Sequence, residues 1–156
     1  QDPAFRLRRI REPGPGGRRS IAAWVAGEEL ANVRAPLDID VVGGRWPVDA
    51  ADAVVCINMI HIAPWAATPA LMRGAGRLLP ESGPLVLYGP FRRDGHGTAP
   101  SNDRFDADLK ARDPAWGIRD LADVAAEADA AGLRLDEIVE MPANNLTVVF
   151  RKTAGA

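Results

Sequence analysis

The sequence predicts an α/β fold whose sheet is mostly parallel and closes with a C-terminal antiparallel hairpin, and three observations carry that prediction. Residues 53–57 (Ala-Val-Val-Cys-Ile) are an apolar run with no polar alternation, the pattern of an inner strand covered on both faces. A helix with clear boundary signals, Thr68-Pro69 at its start and Pro80 and Gly83 beyond its end, separates that run from a second one, Leu85 to Tyr88. Strand, helix, strand in this order reads as a right-handed parallel βαβ unit. Finally, the strand-like stretches from Leu133 to Met141 and from Leu146 to Arg151 are divided only by Pro142-Ala143-Asn144-Asn145, too short a connection for a crossover, so these two run antiparallel.

The elements follow in order. Residues 1–20 hold Arg6, Arg8, Arg9, Arg11, Arg18 and Arg19 against Asp2 and Glu12, a positive surplus in a chain whose net charge is −2. Pro and Gly interrupt residues 11–19 repeatedly, so neither helix nor strand propagates there, and residues 1–19 read as a disordered arm. Such an arm is either a solvated tail or a contact for phosphate backbones, a weakly supported nucleic-acid reading. Order is expected from Ser20, an N-cap for a short helix with Ile21, Trp24 and Val25 inward and Glu28 outward, ending near Leu30 to Asn32. Residues 33–42 alternate Leu37, Ile39 and Val41 with Asp38 and Asp40 as a strand, which Pro36 pushes to an edge or to a later start. Gly43 and Gly44 end it. The run at 53–57 is then the central strand, and Thr68 caps the following helix, whose inner face is Leu71, Met72, Ala75, Leu78 and Leu79.

Residues 92–100 are polar and Gly-bearing, hence a loop. Ser101 caps a helix carrying Phe105 and Leu109 that ends before Pro114. Asp120 opens the clearest helix, with Leu121, Val124, Ala125 and Ala128 inward and Gly132 as terminator. The domain therefore spans residues 20–152, with 153–156 as a frayed tail.

At 156 residues, 47% hydrophobic and 26% charged, the chain fits one globular domain with a real core. It has no apolar run of membrane-spanning length and no secretory opening, so a cytoplasmic location is expected. The single Cys56 sits inside an apolar strand and reads as a small hydrophobe. One Cys with His61 and His96 supplies no ligand cluster for a structural metal. Ligands of open α/β sheets bind beyond the carboxyl ends of strands, which makes Asn58 and His61 the first site candidates. The competing reading is that Asn58 caps the strand end and His61 packs inside with its nitrogens satisfied.

Five stretches carry a resemblance. Val-Cys-Ile-Asn-Met-Ile-His-Ile-Ala-Pro-Trp (55–65), Leu-Tyr-Gly-Pro-Phe (87–91), Ser-Asn-Asp-Arg-Phe-Asp (101–106), Trp-Gly-Ile-Arg-Asp (116–120) and Met-Pro-Ala-Asn-Asn (141–145) together resemble the uncharacterised family of methyltransferase-like protein 26 and its bacterial relatives, over residues 18–152. The resemblance implies the Rossmann-like class I fold and S-adenosylmethionine as cofactor, with methyl transfer to an unknown small-molecule or macromolecular acceptor. It puts Asp40, Asn58 and Met59 beside the cofactor. On the acceptor side the candidates are residues at or beyond the strand ends, His61, Tyr88 and Arg119 as catalytic groups and Trp65, Trp116, Ser101 and Asn102 as substrate contacts, with Arg92, Arg93, Ser101 and Asn102 on a lid loop. The alternatives are that Tyr88 and Trp116 are core, that Arg119 lies at a solvated helix start, and that the loop is a solvated connection.

The chain also departs from that pattern. Class I enzymes open with a strand, a Gly-rich turn and a helix, whereas Gly14, Gly16 and Gly17 follow no apolar strand and are split by Pro15. The acidic residue that would hold the ribose is absent too. The expectation is a partial, N-terminally truncated sheet, either a methyltransferase or a non-catalytic remnant or binding module of that fold. Its strand at 52–57 would be left with an unpaired apolar edge prone to self-association.

Overall fold

The computed structural model describes residues 7–10, 15–28, 32–93 and 99–155, with only the backbone at residues 7–10, Pro15 and Arg18. Gly14, Leu30, His96 and most of the loop at 92–100 lie outside the described residues. The chain divides into two compact units, residues 1–47 and 48–156.

Within the stretch read as a disordered arm, residues 7–10 and 15–19 take regular structure, while 1–6 and 11–14 lie outside the described residues. Leu7–Ile10 is a strand, β1, and Pro15–Gly27 is a helix, α1. Proline is tolerated at the first helical position, where its fixed φ suits the helix and its missing N–H would have no partner anyway. Gly16 and Gly17 thus lie in the opening turn, and Ser20 is inside the helix instead of capping it. Trp24, expected inward, is 67% exposed. The strand expected over 33–42 stops early, as β2 at Val33–Leu37, pairing parallel with β1. Its register slips between Arg34 and Leu37, across Pro36, which has no N–H to give the ladder.

The chain then closes on itself. Asp40 and Arg45 exchange backbone hydrogen bonds of 3.2 and 2.9 Å, and Gly43 N–H donates to the Asp40 carboxylate at 2.9 Å.

The second unit is built on a four-stranded sheet in the order β3-β4-β8-β7, formed by Val54–Ile57 (β3), Pro84–Gly89 (β4), Leu133–Met141 (β7) and Asn145–Lys152 (β8). The βαβ unit is as expected: β3 and β4 are parallel, Val54 beside Leu85 through Ile57 beside Tyr88, joined by α2 at Ala67–Leu78. Helix α2 is buried along most of its length, including Leu71, Met72, Ala75 and Leu78. It begins one residue before Thr68, so Thr68 is buried in the first turn and Ala66 holds the cap position. The hairpin is also as expected, with Leu133 opposite Lys152 and Met141 opposite Asn145.

Among the described residues the run at 53–57, read as a central strand, pairs with β4 alone, which is the unpaired edge that the partial-sheet reading expected. Val54 and Cys56 are buried, but Val55 and Ile57 are 53% and 62% exposed. The interior strands are β4 and β8, with Leu85 and Leu87 of the first and Val148 and Phe150 of the second buried.

Four further elements belong to the unit. Phe91–Arg92 (β5) pairs parallel with Arg119–Asp120 (β6). Pro100–Arg112 (α3) carries Asn102, Asp106 and Leu109 inward, while Phe105 is exposed. Leu121–Ala130 (α4) starts as predicted, with the Asp120 carboxylate accepting from Ala122 N–H at 2.9 Å. Gly76 lets α2 approach the end of α4, since a Cβ there would lie 2.5 Å from the Ala131 carbonyl oxygen.

Candidate functional site

The carboxyl end of β3 turns sharply. Asn58 takes a left-handed conformation (φ 58°) that its short polar side chain tolerates, and its N–H donates to Tyr88 O at 2.8 Å. A single 3-10 turn, Met59–His61, follows. Asn58 and Met59 are half-buried there, and Tyr88 is half-buried on the adjacent strand.

His61 points inward and is wholly buried. Its ring meets Phe91 edge to face at 5.1 Å. Gly89 lies so close that a Cβ on it would sit 2.7 Å from His61 Nε2 and 2.8 Å from Asn58 Oδ1. Among the described residues neither ring nitrogen has a hydrogen-bond partner. Burial, and secondarily the positive charge of Arg119, lower its pKa to about 4, against weaker opposition from the Gly117 backbone and Asp106. The ring is therefore neutral at physiological pH and buried. It packs inside, as the alternative reading of the sequence had it, but among the described residues it lacks the hydrogen-bond partners that reading supposed.

Arg119, at the start of β6, is directed at carbonyls. Its Nε donates to Ile60 O at 3.0 Å, and its Nη2 to Ala63 O at 2.6 Å and Ala115 O at 2.9 Å. The guanidinium lies 5.7 Å from the centre of the exposed Trp65 ring, a cation–π arrangement. Burial lowers its pKa, with the charge of Asp106 opposing. Arg119 thereby fastens the turn that carries His61 to the segment before β6, and the Gly117 N–H to His61 O bond of 2.9 Å adds to that fastening. Trp116, half-buried, sits in the turn closed by its own N–H on Asp113 O.

The centre of one buried polar cluster was not among the site residues named from the sequence. Buried Asp106 accepts from Arg92 Nη2, Lys110 Nζ and Ile118 N–H, each at 2.7 Å. Desolvation alone would raise its pKa, but the Lys110 and Ile118 hydrogen bonds and the charges of Arg92 and Lys110 bring it below the ordinary carboxylate value. The spacing of Asp106 and Lys110, four residues apart on a helix, was the available signal. Arg92 is thus engaged at the base of the 92–100 loop, and Arg93 pairs with Glu140 at 2.7 Å.

Ser101 and Asn102 meet the β7–β8 turn. Asn102 Nδ2 donates to Asn144 O and Asn144 Nδ2 to Ser101 Oγ, both at 3.2 Å. Asp40 lies in the other unit, its carboxylate capping its own turn.

Most of the named residues of the second unit therefore lie near where β3 and β4 end and β8 begins. Of these, Asn58, Met59 and Tyr88 are half-buried and Ser101 is exposed, and none of the four carries a charge. Among the described residues no three His, Cys, Asp or Glu side chains come together to hold a metal ion. No helix there is long and apolar enough to cross a membrane. A shallow cavity of about 550 Å³ lies elsewhere, lined by Arg93, Leu121, Ala122, Ile138 and Glu140.

Comparison with solved structures agrees with this architecture. The mitomycin 7-O-methyltransferase MmcR superposes with a TM-score of 0.81 at 18% identity, over 97% of this chain and 43% of its own. PigF, solved with SAH, gives 0.79 at 14% identity over 97% and 44%. An O-methyltransferase family protein from Burkholderia thailandensis gives 0.78 at 15% identity over 91% and 42%. At such identities the likeness is one of fold, which is methyltransferase-like, and the chain spans less than half the length of these proteins. A family model described as "Protein of unknown function (DUF938)" matches residues 10–152, and the chain accordingly belongs to the DUF938 family.

Proposed function

We propose that this chain binds S-adenosylmethionine at the carboxyl end of β3 and serves methyl transfer to an acceptor not yet identified, in the manner of the class I methyltransferases and of the methyltransferase-like protein 26 family it resembles. The observation that carries the reading is the half-open polar turn at Asn58 and Met59, in a fold whose solved relatives include one described with SAH. Asn58 offers both a donor and an acceptor, suited to the polar edge of an adenosine, and Met59 offers a soft apolar contact. When bound, the cofactor supplies an electrophilic methyl group on a sulfonium.

Direct displacement at that carbon needs alignment and exclusion of water more than a strong base. Tyr88 and Ser101 fit the task of orienting an acceptor through neutral hydrogen bonds. Arg119 holds the turn in place.

A second reading, a non-catalytic member of the same fold, is favoured by one observation: the histidine and arginine that would do acid–base and anion-binding work are engaged inside the protein. Calorimetric titration of the chain with S-adenosylmethionine and with S-adenosylhomocysteine separates the two. Micromolar binding, weakened at least about tenfold by Asn58→Gly, which tolerates the left-handed backbone, is the expected result. No heat at millimolar ligand from a folded chain would leave the non-catalytic reading.

A further inference from the structure

The turn that carries Asn58 and Met59 cannot hold its own shape. It is a single 3-10 turn, closed by His61 N–H on Asn58 O at 3.1 Å and Ile62 N–H on Met59 O at 3.2 Å, and so short a helix is not stable alone. It also starts from the left-handed backbone of Asn58, which a residue other than glycine keeps only where its surroundings impose it. The His61 side chain makes no hydrogen bond among the described residues. The conformation is therefore imposed from outside the turn.

Two connections reach it, and both lead back to Asp106 on α3. In the first, successive N–H groups before β6 go to different elements, Gly117 to His61 O at 2.9 Å and Ile118 to Asp106 Oδ1 at 2.7 Å. The next residue, Arg119, takes Ile60 O and Ala63 O with its guanidinium. In the second, β5 sets Phe91 against the His61 ring at 5.1 Å and the adjoining Arg92 on Asp106 Oδ2 at 2.7 Å. The β5–β6 pairing, Phe91 beside Arg119, ties the two together. The fit is close: a Cβ on Gly117, whose φ is 151°, would lie 2.8 Å from Asp106 Oδ1 and 3.1 Å from Lys110 Cε.

We infer that Asp106 is a positioning residue for the Asn58–Met59 turn, holding it through residues 117–119 and through Arg92 and Phe91 in the conformation it presents at the end of β3. The consequence for cofactor affinity rests on the reading of that turn as the S-adenosylmethionine site; the coupling itself does not. Without the carboxylate, residues 117–119 lose the acceptor that fixes them and the turn samples other conformations. The apparent Kd then rises by the inverse of the fraction that stays competent.

Amide hydrogen exchange of the free chain tests the coupling. In Asp106→Ala, the His61 and Ile62 amides should exchange at least about tenfold faster relative to Leu85 and Leu87 of β4, which report global opening. Gly117→Ala, which drives a Cβ against an intact carboxylate, should do the same. Asp106→Asn keeps an acceptor for Ile118 and should return the ratio to within about threefold of wild type. Leu133→Ala makes a cavity at the opposite end of the sheet, where β7 meets the end of β8, and should leave the ratio unmoved. Circular dichroism confirms the fold of each variant. In calorimetry with S-adenosylmethionine, Asp106→Ala should raise Kd about threefold to tenfold and Leu133→Ala should not. A ratio unchanged in Asp106→Ala or in Gly117→Ala would overturn the inference, as would one that Leu133→Ala raises equally, or a Kd that Asp106→Ala leaves as in a wild-type chain that binds. A wild-type chain that takes no S-adenosylmethionine refutes the cofactor reading instead, and exchange still decides the coupling.

Discussion

Removing the Asp106 carboxylate is the perturbation whose cost the structure defines best. Asp106 is 4% exposed and accepts three hydrogen bonds of 2.7 Å. Asp106→Ala leaves the buried Ile118 N–H without an acceptor, which costs about 1–3 kcal/mol. It also strands the half-buried Arg92, whose Nε already lacks a partner among the described residues. The bond from exposed Lys110 adds little. Together these give a loss of about 3–4 kcal/mol, in line with breaking a buried ion pair from one side.

Asp106→Asn keeps an acceptor for Ile118 and gives up only the charge, for about 1–2 kcal/mol. Urea unfolding followed by circular dichroism reads both values from the midpoint at constant m. The pH dependence adds a sign. The folded pKa of Asp106 lies below its unfolded value, so the advantage of wild type over Asp106→Asn is complete at neutral pH. It shrinks as pH falls below about 4 and disappears below the depressed folded pKa. An Asp106→Ala chain within about 1 kcal/mol of wild type would refute the reasoning, because a buried amide cannot lose its acceptor so cheaply.

Two further outcomes follow from the same geometry. His61, with its pKa lowered to about 4, binds a proton more readily unfolded than folded, so stability should fall by about 3 kcal/mol between pH 6.5 and pH 4; His61→Leu, measured by urea unfolding at each pH, should remove that slope. Arg119→Lys keeps the charge but loses the planar fork that reaches three carbonyls and lies over Trp65, and thermal unfolding should drop by roughly 3–8 °C.

Local chemistry was legible where the chain states it twice. The Asp120 cap, the βαβ unit around α2 and the hairpin at Pro142 each combine a pattern with a boundary residue, and each stands where expected. Where a single cue spoke alone it misled. Thr68 and Ser20 look like caps, but Ala66 holds the cap of α2 and Pro15 opens α1.

The candidate site was half legible for a related reason. The sequence marked the carboxyl end of β3 and named Asn58 and His61, which do lie there. It could not say which way each side chain turns. His61 is drawn inward because Phe91 supplies a ring to pack on and Gly89 leaves room beside it, two residues that pair with it only once β3 and β4 are aligned. Likewise Asp106 meets Arg92 from fourteen positions away.

What the sequence determined by itself is what depends on neighbours a few residues off: most helical and extended segments, the cap at Asp120, and the antiparallel return at 142–145, whereas Ser101, read as a cap, lies inside α3 behind Ala99. What only the tertiary structure decided is whatever depends on burial. That includes the neutral His61, the ionised Asp106 and the guanidinium of Arg119 given over to carbonyls. Desolvation and long-range pairing set the protonation and partner of each group, and both come into being only when distant segments exclude water together.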